Sequence, residues 1–410
     1  MQATRRSELL LVGWAALTFA TLLGSFSAFR PVRDALVLDG KPDDIPWLFI
    51  GTFVAVTIAS SLWSSILSRR PHRRVVPVAF HVFALCAIAF AVLVKEHVSP
   101  VIVGRAFYIW SAVYNLFVVS VFWSLLSDLL GPDTATRLFG PVSAGGTVGA
   151  IVGPAMTKLI VGRVGVAGVL VMSALLLEIA VVGVWQLRRL GKTETAELPA
   201  RSTPWAGIAR VAKEPYLLAI CGYVLCLSVA ATFLYLDQAS IVKVAFKSRE
   251  ARTDFFASLD LWTQLATLVV QSLLAAPLLR RFGPGIVLAV LPLAQLGSQI
   301  ALGVTGTGAS LSVLVVAMIA TRTVQHGLTR PARELLFTVV EREDKYHAKN
   351  VVDTIVYRLG DVGSGWLYSG LVSLAAGAGT LAIASAPLTA AWLGLAVVLG
   401  SRFRRRAASA

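Results

Sequence analysis

The feature that most constrains this chain is a series of apolar blocks, about eighteen residues long or more, that recurs along its whole length. A block of that length, wound as an α-helix, crosses the ~30 Å hydrocarbon core of a bilayer. The composition agrees, since 56% of the 410 residues are hydrophobic and only 14% are charged. A water-soluble chain would carry far more charge, and a membrane barrel would alternate polar and apolar residues. We therefore expect an all-α membrane protein.

Twelve membrane-spanning helices are predicted from these blocks. A long polar loop, residues 188–215, divides the chain into six spans in residues 1–187 and six in residues 216–410. Repeats of six spans are typical of the major facilitator architecture, in which substrate binds between the halves near mid-membrane. The predicted spans are 9–29, 45–67, 75–94, 101–127, 141–161, 166–187, 216–236, 255–279, 285–303, 310–338, 351–374 and 380–400.

The net charge of +15 follows the predicted topology. Of the 37 lysines and arginines, 24 fall in the two termini and the loops on their side, against about 9 in the opposite loops. Because cytoplasmic loops carry the excess of lysine and arginine, we expect both termini on the cytoplasmic side of a bacterial inner membrane. The basic charge is then a topology signal, so no nucleic-acid partner is expected, and the first span is expected to stay uncleaved.

Signatures of enzyme chemistry are missing from the sequence. It has no HExxH, no paired histidines, no phosphate-cradling glycine loop and no histidine–acid motif at a predicted interface. The three cysteines lie within apolar segments without disulfide or metal spacing and are interpreted as packing residues. We expect no catalytic residues, no bound metal and no cofactor.

Charged side chains at the end of the first span are candidates for an anion site. Arg30 and Arg33 follow about twenty apolar residues, with Pro31 and Asp34 beside them. Arginine is suited to phosphate and carboxylate because its guanidinium presents a planar fork of donors. The alternative is that these side chains extend to the outer headgroups. In the fourth span, Asn115 lies near mid-membrane, where an amide needs a partner or a ligand.

Polar residues also form a stripe in the segment 255–279. Asp260, Gln264, Thr267 and Gln271 are spaced four, three and four residues apart, which places them on one helical face. Inserting a charged side chain inside a span costs at least ~2.5–3.5 kcal/mol of free energy on insertion scales. A charged residue there is therefore expected to have a structural or functional role. The stripe predicts a surface that faces a water-filled cavity or a polar partner, and we favour the cavity.

Two further spans of the second half carry charge. Arg322 lies deep in 310–338, followed by His326, which is either proton-coupled or simply a hydrogen-bonding residue. In 351–374, Arg358 and Asp361 are three residues apart and can pair within the helix. Asp361 is a candidate for the substrate or coupling-ion site. Nearby, the residue Tyr357 is a candidate for substrate contact.

A glycine stripe marks the fifth span, where Gly145, Gly149 and Gly153 recur every four residues before Pro154. Small residues at that spacing let two helix backbones approach closely. The stripe also resembles the span-5 antiporter motif of major facilitators, although Thr157 and Lys158 stand where that motif closes with two glycines. Plain helix packing and a gating role both remain open.

Three long segments carry a resemblance to one family. "FRPVRDALVLDG…IPWLFIGTFV", "FWSLLSDLLGPDTATRLFGPVSAGG" and "RPARELLFTVVEREDKYHAKNVVDTIVYRLGDVGSG" resemble the corresponding regions of the ATP/ADP translocase family of plastids and intracellular bacteria. The resemblance implies a major facilitator-like antiporter that exchanges nucleotides. It is strongest to the shorter homologues of free-living bacteria.

The charged positions on which that family relies are only partly kept. Its span-1 lysine falls on Arg33, and its span-7 glutamate corresponds loosely to Asp237. Its span-4 glutamate falls near Asn115, where no acid exists, and its span-11 lysine falls on Asp361, which reverses the sign. The resemblance therefore implies the fold and the transporter class, and it leaves the substrate open.

Two hypotheses follow. The first is a secondary transporter, an antiporter or a proton-coupled carrier, of an anionic, phosphorylated or nucleotide-like molecule. Arg30, Arg33 and Arg322 would then bind the anion, while Asp260 and Asp361 balance charge or couple protons. The alternative is a major facilitator exporter or flippase of a lipid or amphiphile. The expected partners are the small-molecule anion and the lipid bilayer, and the expected state is a monomer.

Overall fold

The computed structural model describes residues 2–67, 72–129, 132–190, 211–305, 310–341, 348–349, 351–374 and 378–409. Every element assigned within these ranges is a helix, in agreement with the all-α prediction. Most of the predicted polar loop 188–215 lies outside the described residues.

The elements of the first half of the sequence are five α-helices and one short 3-10 turn, Pro42–Asp44. The helices are α1 (Gln2–Val37), α2 (Ile45–Leu67), α3 (His72–Lys95), α4 (Pro100–Leu129) and α5 (Pro132–Leu190).

The second half contains seven described α-helices, three π-helical segments and a 3-10 turn at Phe337–Val339. The α-helices are α6 (Pro215–Ala245), α7 (Arg249–Val269), α8 (Ala275–Thr305), α9 (Ser310–Val324), α10 (Arg330–Leu336), α11 (Tyr357–Leu374) and α12 (Ala378–Ser409). The π-helical segments are Val270–Leu274, Gln325–Thr329 and Val351–Val356.

Nine helical stretches of the described residues are long and apolar enough to cross a membrane. Two of them, of 52 and 57 residues, exceed the length that one span needs. Each contains a glycine with a left-handed φ, 66° at Gly165 and 74° at Gly283, where two helices meet at a kink. Glycine adopts such angles without a steric penalty, so these residues mark the ends of consecutive helices.

Contacts between residues divide the chain into two compact units. The first comprises Met1–Lys41, Ile50–Pro199 and Phe246–Leu261. The second comprises Pro42–Phe49, Ala200–Ala245 and Trp262–Ala410. Each unit therefore contains mostly one half of the sequence, together with a short segment of the other half.

In the first unit, α1 packs along the beginning of α5 through the glycine stripe. A Cβ built on Gly149 would lie 2.8 Å from the carbonyl carbon of Ala20 and 2.9 Å from the nitrogen of Gly24. Such distances leave no room for a side chain, so the two backbones are in direct contact. The core beside them is aromatic, with stacked or edge-to-face rings. It includes Phe19, Phe29, Phe107, Tyr114 and Phe122.

The core of the second unit is formed around α6, α8 and α12. The rings of Tyr223 and Trp392 meet edge to face with centroids 5.5 Å apart. Gly285 on α8 and Gly400 on α12 let these helices touch, since a Cβ on Gly285 would lie 2.6 Å from the Cα of Gly400. This core holds both ends of the second unit's sequence together.

Candidate substrate site

Arg30 of α1 forms an ion pair with Asp260 of α7 within the first unit. The Nε–Oδ2 distance is 3.5 Å, and the side chains are 27% and 6% exposed. A residue predicted to bind the substrate therefore meets a residue predicted to balance charge. The guanidinium retains exposed surface, whereas the carboxylate is buried.

Arg33 is engaged differently from Arg30. Its Nε and Nη2 both donate to Oδ1 of Asp34, at 2.9 and 2.7 Å. Its guanidinium lies 5.3 Å from the ring centre of Tyr108, within cation–π range. Since Asp34 is only 3% exposed, this pair is an internal one. The helix α1 continues through Pro31, so both arginines project from one helix.

A second group of charges in this unit was missed by the sequence analysis. Asp39, just after α1, accepts from Nε of Arg249 at 2.8 Å and from Nη1 of Arg252 at 3.2 Å. On α5, Lys158 lies 3.8 Å from a carboxylate oxygen of Asp254. The available signal was the presence of two arginines three residues apart in the first turns of α7. Their acidic partner is distant in sequence.

Asn115 is the last candidate of the first unit. Its side chain is exposed and makes no hydrogen bond among the residues that the structure describes. The neighbouring Tyr114 is buried and donates from its hydroxyl to Oγ of Ser25 at 2.9 Å. The role of Asn115 in substrate binding therefore stays a prediction.

In the second unit, Arg322 of α9 donates from Nη2 to Oε1 of Gln238 at 3.2 Å. Gln264 of α7 is half-buried, while Thr267 is buried with a hydroxyl oxygen that has no partner among the described residues. Gln271, the last member of the predicted stripe, is exposed. The polar stripe thus runs from buried to exposed positions.

Asp361 has partners that the sequence analysis did not identify. Its Oδ1 accepts a hydrogen bond from Oγ of Ser228 at 2.6 Å and from Oγ1 of Thr232 at 3.5 Å, both on α6. The close contact of α11 with α6 brings these hydroxyl donors to the carboxylate. Pairing of Asp361 with Arg358 within the helix stays a prediction. Ser228 is also hydrogen-bonded to the carbonyl of Tyr357 at 3.0 Å.

Asp237 forms a second carboxylate contact in this unit and is half-buried. Its Oδ1 accepts from the hydroxyl of Tyr368 at 2.7 Å. The alignment with the translocase family suggested this position only loosely. The hydroxyl on α11, which lies far along the sequence, was not predictable from it.

The three π-helical segments all lie in the second unit, and two carry candidate residues. Gln271 is in the first and His326, which is exposed, is in the second. The two segments pack together, since a Cβ on Gly327 would lie 2.9 Å from a methyl carbon of Val270. Single π turns are frequent at functional sites because they shift a side chain out of helical register.

The two units differ in the contacts of their charged residues. The first presents arginines paired with carboxylates. The second presents carboxylates that accept hydrogen bonds from hydroxyl groups. Among the described residues, no cluster of histidine, cysteine and acidic side chains could hold a metal ion.

Long apolar helices with paired charges inside them are typical of multi-pass membrane transporters. A family model of the Major Facilitator Superfamily matches residues 5–333. The chain belongs to this superfamily.

The sequence relatives support the predicted resemblance. ADP,ATP carrier protein 1 of Chlamydia muridarum is 23% identical over 342 residues, which cover 73% of this chain and 65% of that carrier. The carrier of the same name from Chlamydia trachomatis is 22% identical, covering 72% and 65%. The match thus spans a little less than two thirds of the length of these curated relatives.

Solved structures show the same fold at low identity. A variant of the nucleoside transporter NupG has a TM-score of 0.63 and 14% identity, covering 98% of this chain and 99% of that one. The POT family transporter PepTSo has a TM-score of 0.62 and 11% identity, covering 97% of this chain and 98% of that one. A bacterial homologue of ferroportin gives 0.60 and 14%, covering 98% of each chain.

Proposed function

We propose that this protein is a secondary active transporter of an anionic, phosphorylated or nucleotide-like small molecule, working by alternating access. The observation that carries the proposal is the pair of Arg30 and Asp260. Their 3.5 Å contact is longer than the 2.7–2.9 Å of a strong charged hydrogen bond. An incoming phosphate with better geometry can therefore take the place of the Asp260 carboxylate.

In this mechanism, Asp260 acts as an internal substitute for the substrate. The carboxylate neutralises Arg30 when no substrate is bound, which avoids an unpaired charge in a low-dielectric environment. The substrate anion then displaces it and forms two parallel hydrogen bonds with the guanidinium fork. Arg33, one turn further along the same helix, adds a second guanidinium.

The comparisons support an anionic and nucleotide-like substrate class. The sequence relatives carry the name ADP,ATP carrier, and one structural neighbour is named a nucleoside transporter. The reversed charge at Asp361 and the missing acid near Asn115 favour a substrate or coupling mode that differs from theirs. Exchange by antiport and coupling to protons are both consistent with the charges.

The finer topology belongs to the same proposal. We infer twelve spans in two six-helix halves, residues 1–187 and 216–410, joined by a cytoplasmic linker. The kinks at Gly165 and Gly283 support it, because each divides one long apolar stretch into two span-length helices. The excess of basic residues supports an inner-membrane location with both termini in the cytoplasm. The proposed state is a monomer.

A ligand screen by thermal unfolding tests the substrate class. Purified protein is exposed to nucleotides, sugar phosphates, carboxylates, uncharged nucleosides and lipids. A phosphorylated ligand at 100 times its dissociation constant is expected to stabilise the folded state by ~2.7 kcal/mol. The matching nucleoside serves as the control and should have little effect. Stabilisation by a lipid or amphiphile alone would favour the exporter or flippase alternative.

A coupling role of Asp361 gives a separate prediction. One pH unit is worth about 1.4 kcal/mol per proton, so coupling to one proton supports about tenfold accumulation of substrate in vesicles. Asp361→Asn keeps the hydrogen bonds to α6 but cannot bind the proton, so accumulation driven by the pH gradient should be lost while counterflow exchange continues.

The control is Glu96→Gln, which removes an exposed acid after α3. It should leave both activities unchanged. Gradient-driven accumulation that survives in Asp361→Asn would exclude this residue as the proton carrier, without affecting the proposed anion site.

A further inference from the structure

A basic cavity lies at the start of α6 and the end of α12, apart from all residues assigned to substrate binding. Its volume is about 340 Å³. The lining contains three arginines and one acid, which leaves an excess of two positive charges. The lining residues are Glu214, Pro215, Tyr216, Arg402, Arg405 and Arg406.

Internal contacts fix the shape of this cavity. Arg402 donates from Nη1 to the carbonyl of Pro215 at 2.8 Å. Arg406 pairs with Glu214, and its guanidinium lies 4.7 Å from the ring centre of Tyr216. The tyrosine ring is itself held, because its hydroxyl donates to the carbonyl of Leu336 at 2.9 Å. Three of the lining side chains are therefore held in place by internal contacts.

Arg405 completes the cavity with an exposed side chain. The adjacent Arg404 is also exposed but does not line the cavity. Both residues lie at the polar end of the apolar helix α12. They differ mainly in the direction in which their side chains leave the helix. Because only Arg405 lines the cavity, comparing these two residues distinguishes binding in the cavity from a general effect of positive charge.

The surroundings of the cavity indicate what kind of anion it fits. It lies at the ends of two helices that are long and apolar enough to span a membrane. Within one to two turns, toward the apolar part of each helix, Leu218 is 47% exposed and Val397 is 67% exposed. A basic pocket thus adjoins exposed aliphatic side chains. A free phosphate would use only the first of these features, whereas a phospholipid would use both.

We propose that this cavity binds the phosphate headgroup of an anionic phospholipid, whose acyl chains lie along α6 and α12. Clusters of basic residues next to a membrane helix attract anionic lipids, and arginine forks bind phosphate oxygens. In this arrangement the tyrosine ring would lie near the level of the headgroup, where aromatic side chains are enriched. The inference is independent of the transported substrate, since none of the lining residues is assigned to it.

Native mass spectrometry of the full chain, titrated with phosphatidylglycerol in detergent, tests the proposal. The unaltered protein should bind its first phosphatidylglycerol molecule more tightly than it binds phosphatidylcholine. Arg405→Gln should weaken phosphatidylglycerol binding by about fivefold, the effect expected for one basic residue at an anionic headgroup. Arg405→Lys keeps the charge and should lose less. Arg404→Gln is the matched control and should bind as the unaltered protein does.

Three results would overturn the inference. Equal losses in Arg404→Gln and Arg405→Gln would mean that only the total charge matters. Equal affinity for phosphatidylcholine would exclude an anionic headgroup site. Full competition by millimolar inorganic phosphate would show that the acyl chains contribute nothing. Thermal unfolding of each variant checks its fold, and because Arg405 is exposed, its replacement should leave the protein folded.

Discussion

Arg30→Gln is expected to weaken binding and transport of the anionic substrate by about 10- to 100-fold. Hydrogen bonds to charged groups contribute roughly 1.5–3 kcal/mol, and each 1.4 kcal/mol corresponds to a factor of ten. Equilibrium binding to the purified protein and uptake into vesicles measure the two effects. The affinity of Arg30→Lys should lie between those of the unaltered protein and Arg30→Gln, because lysine keeps the charge and loses the planar fork.

The companion variant Asp260→Asn should change affinity in the opposite direction. If the carboxylate of Asp260 competes with the substrate for Arg30, its removal frees the guanidinium and lowers the dissociation constant. The double variant Arg30→Gln/Asp260→Asn should bind as weakly as Arg30→Gln alone, since the group that holds the anion is gone.

A purely structural ion pair would give a different pattern. Each single variant would then lose folded protein, and the double variant would regain it, because breaking one partner of a buried pair costs more than removing both. Arg163→Gln, which removes an exposed arginine of the first unit, is the control for net charge. Substrate binding that is unchanged in Arg30→Gln would refute the proposed anion site.

Arg33 is a less suitable position for this test. The sequence predicts that Arg33→Ala abolishes transport and leaves the protein folded. The structure shows that Arg33 donates twice to the buried Asp34, so this variant would remove two hydrogen bonds from a buried carboxylate. Breaking such a pair costs about 3–5 kcal/mol, which is enough to unfold many proteins. The double variant Arg33→Gln/Asp34→Asn removes both charges and avoids this problem.

Much of the helical architecture was predictable, but the ends of several helices were not. The prediction ended the first span at residue 29 and the seventh at residue 236, just before a charged residue. The helices α1 and α6 instead continue to Val37 and Ala245. Their charges have partners: Arg30 pairs with Asp260, and Asp237 accepts from Tyr368. In both helices, the charged residue that was taken to end the span has a partner elsewhere in the fold, so the helix continues past it.

The candidate site was predictable in its residue types but not in its pairs. Helical periodicity placed Asp260 and Gln264 on one face, because that information is local in the sequence. The contact of Asp361 with Ser228 depends on how α11 meets α6, and the contact of Asp39 with Arg249 depends on how α7 begins. Such long-range contacts leave no signal in the spacing of a single sequence.

The glycine stripe on α5 gives a prediction about stability. Gly149→Ala is expected to destabilise the protein by about 1–3 kcal/mol, the usual cost of overpacking a close-packed interface. The added Cβ would meet backbone atoms of Ala20 and Gly24, which cannot rotate away as a flexible side chain can. Gly149→Leu should prevent folding. Thermal unfolding in detergent and the yield of monodisperse protein measure both effects.

Gly140→Ala on the same helix is the matched control. A Cβ there meets nothing within 4 Å, so the only expected effect is a gain in helix propensity of up to about 1 kcal/mol. The same pair of variants also separates the two interpretations of the stripe. If its glycines only pack α5 against α1, transport per folded molecule of Gly149→Ala stays normal at a temperature where the variant is folded. If α5 must also slide against α1 at the stripe during transport, the transport rate per folded molecule falls while binding of the substrate is retained. Equal stability of Gly149→Ala and Gly140→Ala would contradict the close approach itself, on which both interpretations depend.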